Sequence, residues 1–262
     1  MARITWDDPG RRIYETGIDR GVLYPPGGSG VPWNGLTSVR IRPSGGDPQG
    51  YYLDGTKYLN VASPEEFAAT ITAFTYPDEF AVCDGTARVH SGLFITEQPR
   101  KPFGFSYRTR IGNDLDNNYG YKIHIVYNAL AAPSDKDFET KGSSADPTDF
   151  SWDITTKPPA FTGFRRSAHV EIDTRSANPS AISDLEDFLY GTEIQAASLP
   201  TLSQLVDIFE AYAILTVVDN GDGTFTVTGP DDAITMLDAD TFQINWPSAV
   251  PIDADTYTLS SL

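Results

Sequence analysis

At 262 residues, with 40% hydrophobic and 12% aromatic side chains, the chain has material for one large β domain, alone or with a small appendage. Its 19 prolines and 22 glycines favour short strands and turns over long helices, and its single cysteine, Cys83, excludes an intramolecular disulfide framework and suits folding in a reducing cytoplasm. The net charge of −17 is lopsided: fourteen of the 36 acids lie after Arg175, where no Lys or Arg occurs, leaving 22 acids against 19 bases before it, so a DNA-gripping role for the acidic end is excluded and a solubilising surface fits it.

The first residues, MARITWDDPGRRIYE, turn polar at once, so no secretory signal is expected, and no run of about eighteen apolar residues is available to span a membrane. RRIYETGIDRGVLYPPGGSGVPWNGLTSVRIRPS then alternates short extended pieces with Gly/Pro loops. Pro25 to Gly30 is a flexible loop, not a phosphate cradle, because no Gly-Lys-Ser/Thr follows. Asp54-Gly55 inside YYLDGTKYLNV signals a tight hairpin, since both residues tolerate positive φ. Ser63-Pro64-Glu65-Glu66 has the form of a helix capping box, but the alternation in FAATITAFTYP favours a short turn and then a strand. Leu93–Glu97, Phe150–Thr156 and Arg166–Asp173 read as further strands, the last with His169, Glu171 and Asp173 on one face.

The chain is organised around Pro102–Tyr127, two alternating strands joined by the turn-rich GNDLDNN. Phe103, Phe105, Tyr107 and Ile111 share one face of the first strand, and Ser106, Arg108 and Arg110 the other. In the second strand Tyr119, Tyr121, Ile123, Ile125 and Tyr127 alternate with Gly120, Lys122, His124 and Val126. The expectation is one aromatic face backed by a basic one carrying Arg108, Arg110 and Lys122, with a partner layer over the aromatic side.

A helix is predicted from Asn178 (cap) and Pro179 to Tyr190, stopped by Gly191. Ile182, Leu185, Phe188 and Leu189 form its apolar stripe, with Asp184, Glu186 and Asp187 toward water, and it should lie across a sheet face. Ser198–Thr201 reads as a linker and Leu202–Tyr212 as a weaker helix. Beyond Ala213, VVDNGDGTFTVTG, ITML, FQINW and TYTLSS are short strands, the first pair around an Asp222-Gly223 turn. The expected division is a β domain over 1–195 and an acidic β appendage over 196–262.

No chemistry-bearing constellation is found. The three histidines, His90, His124 and His169, lack metal-ligand spacing. Asp114-x-Asp116-x-Asn118 resembles the start of a calcium loop but has Tyr119 in place of its glycine and Ile125 in place of its closing glutamate; Asp219 to Thr224 fails similarly at Gly221 and Pro230. No nucleophile elbow, zincin or dinucleotide motif occurs. Neither an enzyme nor a cofactor or metal is expected.

YETGIDRGVLY (Tyr14–Tyr24), GVPWNGL (Gly30–Leu36), TYPDEF (Thr75–Phe80), FGFSYRTRIGND (Phe103–Asp114) and YGYKIHIVYNALAAPS (Tyr119–Ser134) resemble, in consistent order over roughly residues 1–191, the major tail (tail-tube) proteins of long-tailed bacteriophages of actinobacteria and other Gram-positive hosts. The acidic end resembles an extension in some actinobacteriophage members. The resemblance implies a mainly β fold, a β-sandwich or partly closed barrel with one flanking helix and a small C-terminal β extension. It also implies subunits that form stacked, hexameric rings around a genome conduit, lined by hairpins from each subunit. Implied partners are further copies of the chain, a tape measure protein, a tail terminator and distal tail proteins, with DNA passing unbound and no membrane contact. The implied location is the virion tail, after synthesis in the host cytoplasm. A lumen that conducts DNA should expose few bases, so Arg108, Arg110 and Lys122 are expected to pair across a subunit interface, with Asp114 and Asp116 as candidate partners.

Two other readings compete. A minor-tail, wall-binding β-sandwich could use Trp33, Tyr51, Tyr52 and Trp152 as a sugar platform, although packing explains these aromatics as well. A tail-associated glycosidase ranks below it, because no acid/base pair can be named.

Overall fold

The computed structural model describes residues 5–138, 140, 148–161 and 165–212, and beyond them the backbones of six short strands between 216 and 259. The chain forms two compact units, one of residues 1–177 with 186–200, the other of 178–185 with 201–262.

The first unit is built on strands β1 (Tyr14–Tyr24), β2 (Val31–Pro32), β3 (Leu36–Ile41), β4 (Pro48–Leu53), β5 (Thr56–Ala62), β6 (Ala68–Ala73), β7 (Ala87–His90), β8 (Leu93–Ile95), β9 (Phe103–Gly112), β10 (Gly120–Ala131), β11 (Phe150–Thr156) and β12 (His169–Asp173). Eight of them form one antiparallel sheet in the order β2-β1-β9-β10-β11-β6-β3, with β12 on β10. The fold is mainly β. Its two sides come from this one curled, unclosed sheet: Leu23 and Phe105 from β1 and β9 share a core with Ile71 and Trp152 from β6 and β11.

The opening region, expected as short extended pieces, is an eleven-residue strand bent twice. Its register against β9 shifts after Thr16 and after Asp19, where Gly17 and Arg20 adopt φ of 65° and 47°. β10 forks similarly: before Asn128 (φ 48°) it pairs with β12, and after it with β11. Asp54-Gly55 makes the predicted turn, with φ of 48° and 77°.

At the core's centre Trp33 packs on Phe80, Phe105 and Trp152 at centroid distances of 4.8, 5.4 and 5.8 Å. Each buried aromatic contributes about 2–3 kcal/mol by leaving water. Both indoles also satisfy their N–H: Trp33 donates to the Thr75 carbonyl at 3.0 Å and Trp152 to Asp84 Oδ1 at 3.2 Å. Asp84, buried, also accepts from Arg100 at 3.0 Å and Lys136 at 2.5 Å, tying the 3-10 turn at Asp78–Val82 to the ends of β10 and β11.

Helix α1 (Pro179–Tyr190) begins as predicted: Asn178 Oδ1 accepts the Ser180 N–H at 2.9 Å, and Gly191 follows with φ 78°. Its last turns belong to the first unit, where the Leu189 carbonyl accepts the Tyr24 hydroxyl at 2.9 Å. The expected linker is fixed in place. Ser198 N–H donates to the Phe188 carbonyl, and the Pro200 carbonyl accepts the Tyr127 hydroxyl at 2.9 Å.

The second unit holds the first turns of α1, helix α2 (Leu202–Glu210) and three hairpins: β13 (Thr216–Asp219) with β14 (Phe225–Thr228), β15 (Ile234–Met236) with β16 (Phe242–Ile244), and β17 (Ala249–Pro251) with β18 (Tyr257–Leu259). A capping box of Thr201 and Gln204 opens α2, and the Tyr212 hydroxyl donates to Asp184 at 2.6 Å. The Asp222-Gly223 turn lies outside the described residues.

Candidate functional site

Two hairpins project their side chains into solvent. Every residue from Pro48 to Ala62 in β4–β5 is exposed. Tyr51, Leu53, Leu59 and Val61 share one face through the pairs Tyr51↔Leu59, Leu53↔Thr56 and Gln49↔Val61, and Tyr52 and Tyr58 are 66% and 74% exposed. At its base Ser44 and Glu66 exchange backbone hydrogen bonds at 2.9 and 2.8 Å. β7–β8 repeats the pattern with Val89, Leu93, Phe94 and Ile95 all about half exposed. A two-stranded hairpin is marginal in water, and apolar side chains on it gain their stabilisation only when another surface covers them.

The β9–β10 register corrects the expected distribution of charge. Arg108 pairs with Ile123 and Arg110 with Tyr121, whereas Lys122 pairs with Thr109. Directly opposite residues share a face, so Lys122 lies on the opposite side from the two arginines, among Tyr107, His124 and Val126. The aromatic set of β9 therefore joins the basic and polar set of β10. Alternation within each strand does not reveal which parity faces which.

Arg108 is largely buried, its side chain 12% exposed. It donates to both oxygens of Asp19 at 2.8 and 3.1 Å, reaches Glu186 at 3.4 Å and lies 4.4 Å over the Tyr121 ring. Arg110, 55% exposed, donates to the same Asp19 at 2.9 Å. Burial alone would raise the Asp19 pKa, but the hydrogen bonds from the two arginines hold its carboxyl below the ordinary value of 3.8. Glu186 also accepts from Tyr121 at 3.0 Å and Arg20 at 3.3 Å, so it faces the sheet and not, as expected, water. Lys122 bridges Glu15 and Glu171, which raises its pKa.

These partners belong to the same chain. Asp114 accepts the Gly10 N–H at 2.9 Å with Arg12 4.0 Å away, and Asp116 accepts the Asn118 N–H at 2.8 Å. Sequence reading missed Asp19, Glu186 and Glu15. Asp19 sits beside a bulge that period-two counting cannot register, and Glu186 follows Leu185 on the face that turns toward the sheet.

On the other face, five rings stack in succession. Phe105–Tyr107, Tyr107–His124, His124–His169 and His169–Phe67 are separated by 5.4, 4.6, 5.4 and 4.7 Å. His169 and Phe67 border a cavity of about 330 Å³ that Glu65, Arg165 and Arg166 also line. The four aromatics of the competing sugar-platform reading are not brought together, because Trp33 and Trp152 are in the core while Tyr51 and Tyr52 are on the exposed hairpin.

No family model matches the chain, and no curated protein matches it. Among solved structures it is similar to the sheath/tube terminator of PVC, an extracellular contractile injection system, in the extended state (12% identity over 65% of this chain and 99% of that one, TM-score 0.31). It is also similar to the tube-terminating cap of the anti-feeding prophage (13% identity, 66% and 96%, TM-score 0.31) and to a chain of the PVC sheath–tube complex (13%, 65% and 95%, TM-score 0.31). Likeness at this level carries no inference about fold or function.

Proposed function

We propose that this chain is a structural virion protein that self-assembles into stacked, hexameric rings, the tail tube of a long-tailed phage and the conduit for its genome. The observation that carries the reading is the β4–β5 hairpin, whose fifteen residues from Pro48 to Ala62 are all exposed and present Tyr51, Leu53, Leu59 and Val61 together. A second copy of the chain is the partner that covers it. The segments resembling tail-tube proteins also build the first unit's core, contributing β1, Trp33, Phe80, β9 and β10.

In this reading the role is non-enzymatic and needs no cofactor or metal. DNA passes without specific binding, and a tape measure protein, a terminator and distal tail proteins meet the tube at its ends and inside it. Arg108 and Lys122, paired within the chain, orient the ribbon, while Arg110, which also binds Asp19 but is 55% exposed, and the loop carrying Asp114 and Asp116 lie at the subunit boundary.

Electron microscopy of the purified chain over a concentration series tests this, with Arg110→Glu beside it. Rings or tubes with a central channel are expected from the native chain and not from the variant. Monomers with affinity for cell-wall glycans would overturn the reading in favour of a minor-tail, wall-binding protein. Tubes from the variant would remove Arg110 from the boundary.

A further inference from the structure

The paired histidines sit where the core meets the base of the exposed hairpin. Their rings are nearly parallel, 6° apart, and His124 Nδ1 is 3.1 Å from His169 Nε2. His124 Nε2 is 3.0 Å from the Thr109 hydroxyl. A hydrogen bond between two imidazole nitrogens requires one N–H and one lone pair. It survives when the pair carries one extra proton and fails when it carries two, because N–H then faces N–H between like charges.

The consequences run outward through Phe67, which stacks on His169 at 21° and whose carbonyl accepts the Thr156 hydroxyl at 2.8 Å. Phe67 directly follows Glu66, half of the backbone bridge that closes the β4–β5 hairpin. Several elements bring charge to the pair. From β12, Glu171 lies 3.8 Å from His124 Nδ1, where it balances a first proton. Lys122 from β10 and Glu15 from β1 continue that network, and Tyr107 from β9 closes the far side of His124. Arg165 and Arg166 oppose a second positive charge on the cavity side of His169, where Glu65 also lies.

The geometry points to an acid-sensitive joint: protonation of both imidazoles parts His169 from His124, displaces the Phe67 ring stacked on His169 and loosens the base of the β4–β5 hairpin. Its use in regulating assembly rests on the reading of that hairpin as the assembly element. Burial lowers the pKa of both histidines, and the neighbouring His124 helps push His169 down to about 4 from 6.5. The folded state therefore favours neutral rings. The stabilisation is complete above pH 6.5 and is lost progressively as pH falls toward 4.

Urea denaturation of the full chain at pH 7.5 and pH 5 tests the joint, together with hydrogen exchange of amides 44–66 corrected for intrinsic rates. His169 alone should lower the folding constant by about 30-fold between these conditions, with faster exchange at the hairpin base at pH 5. His169→Phe, which keeps an aromatic ring in the stack, should diminish both effects, leaving only the contribution of His124. An unchanged folding constant in the native chain, or an undiminished fall in the variant, overturns the proposal. Should the variant not fold, the imidazole NMR resonances of the native chain decide: midpoints of both rings below the ordinary 6.5 support the joint, and a midpoint at 6.5 or above for either ring refutes it. None of these readouts requires rings, so their failure and a failure to assemble are separate results.

Discussion

Replacing Arg108 with methionine removes a guanidinium while keeping much of its apolar stem. The lost interactions are two hydrogen bonds to Asp19, one to Glu186 and the stack on Tyr121. Charge-assisted bonds contribute about 1.5–3 kcal/mol each and an exposed cation–π contact about 0.5–1. Asp19 and Glu186 are 22% and 23% exposed, so water recovers part of what they lose. The net cost should be about 3 kcal/mol, the lower end for breaking a buried pair, or roughly 6–12 °C in Tm. Arg110→Met is the internal control: it loses a bond to the same Asp19 from a side chain 55% exposed, and should cost below about 1 kcal/mol. Urea denaturation of both variants at pH 7 measures the difference. With Asp19 held below its ordinary pKa, the gap should persist on acidification and narrow only below pH 3.8. Equal losses in the two variants, or a cost below about 1 kcal/mol for Arg108→Met, would refute the assignment of the network to Arg108.

Tyr52→Ser combined with Tyr58→Ser should leave unfolding of the isolated chain within about 0.5 kcal/mol, because both rings already face water, while electron microscopy should show no tubes. Tubes of normal abundance would remove these side chains from the assembly contact. Asp84→Asn leaves the charges of Arg100 and Lys136 beside a neutral amide and should cost about 3–5 kcal/mol by denaturant titration. A loss below about 1 kcal/mol would mean that solvent replaces the carboxylate.

Much of the fold was legible because its signals are local. Asp54-Gly55 specifies its turn by φ alone, and Asn178, Pro179 and Gly191 delimit α1. β6 appears as alternating Ala69, Ile71 and Ala73, which are the residues it buries. Features set by relations between strands were not legible. Placing Lys122 on the face opposite Arg108 and Arg110 depends on the pairing of Gly120 with Ile111, a one-residue matter that the turn decides. Glu186 read as a solvent residue on an amphipathic helix because Arg20, Arg108 and Tyr121 come from three other strand positions. Of the candidate site, the exposed hairpin was found as a hairpin, but its lack of cover within the described residues is visible only when the rest of the unit is built.

The node at Asp84 has a kinetic consequence. Its partners lie 16, 52 and 68 positions away along the chain, so it closes only after β10 and β11 are in place. Each doubling of a closed loop costs only about 0.6 kcal/mol, but that ordering precedes any return from the bonds. The adjoining thiol, Cys83, is fully buried and burial pushes its pKa up to about 11, so it reacts only when this segment leaves the core. With no other cysteine in the chain, the rate at which a thiol reagent labels the native protein is a clock for that opening. Labelling as fast as in the unfolded chain would show that the node does not hold the segment shut.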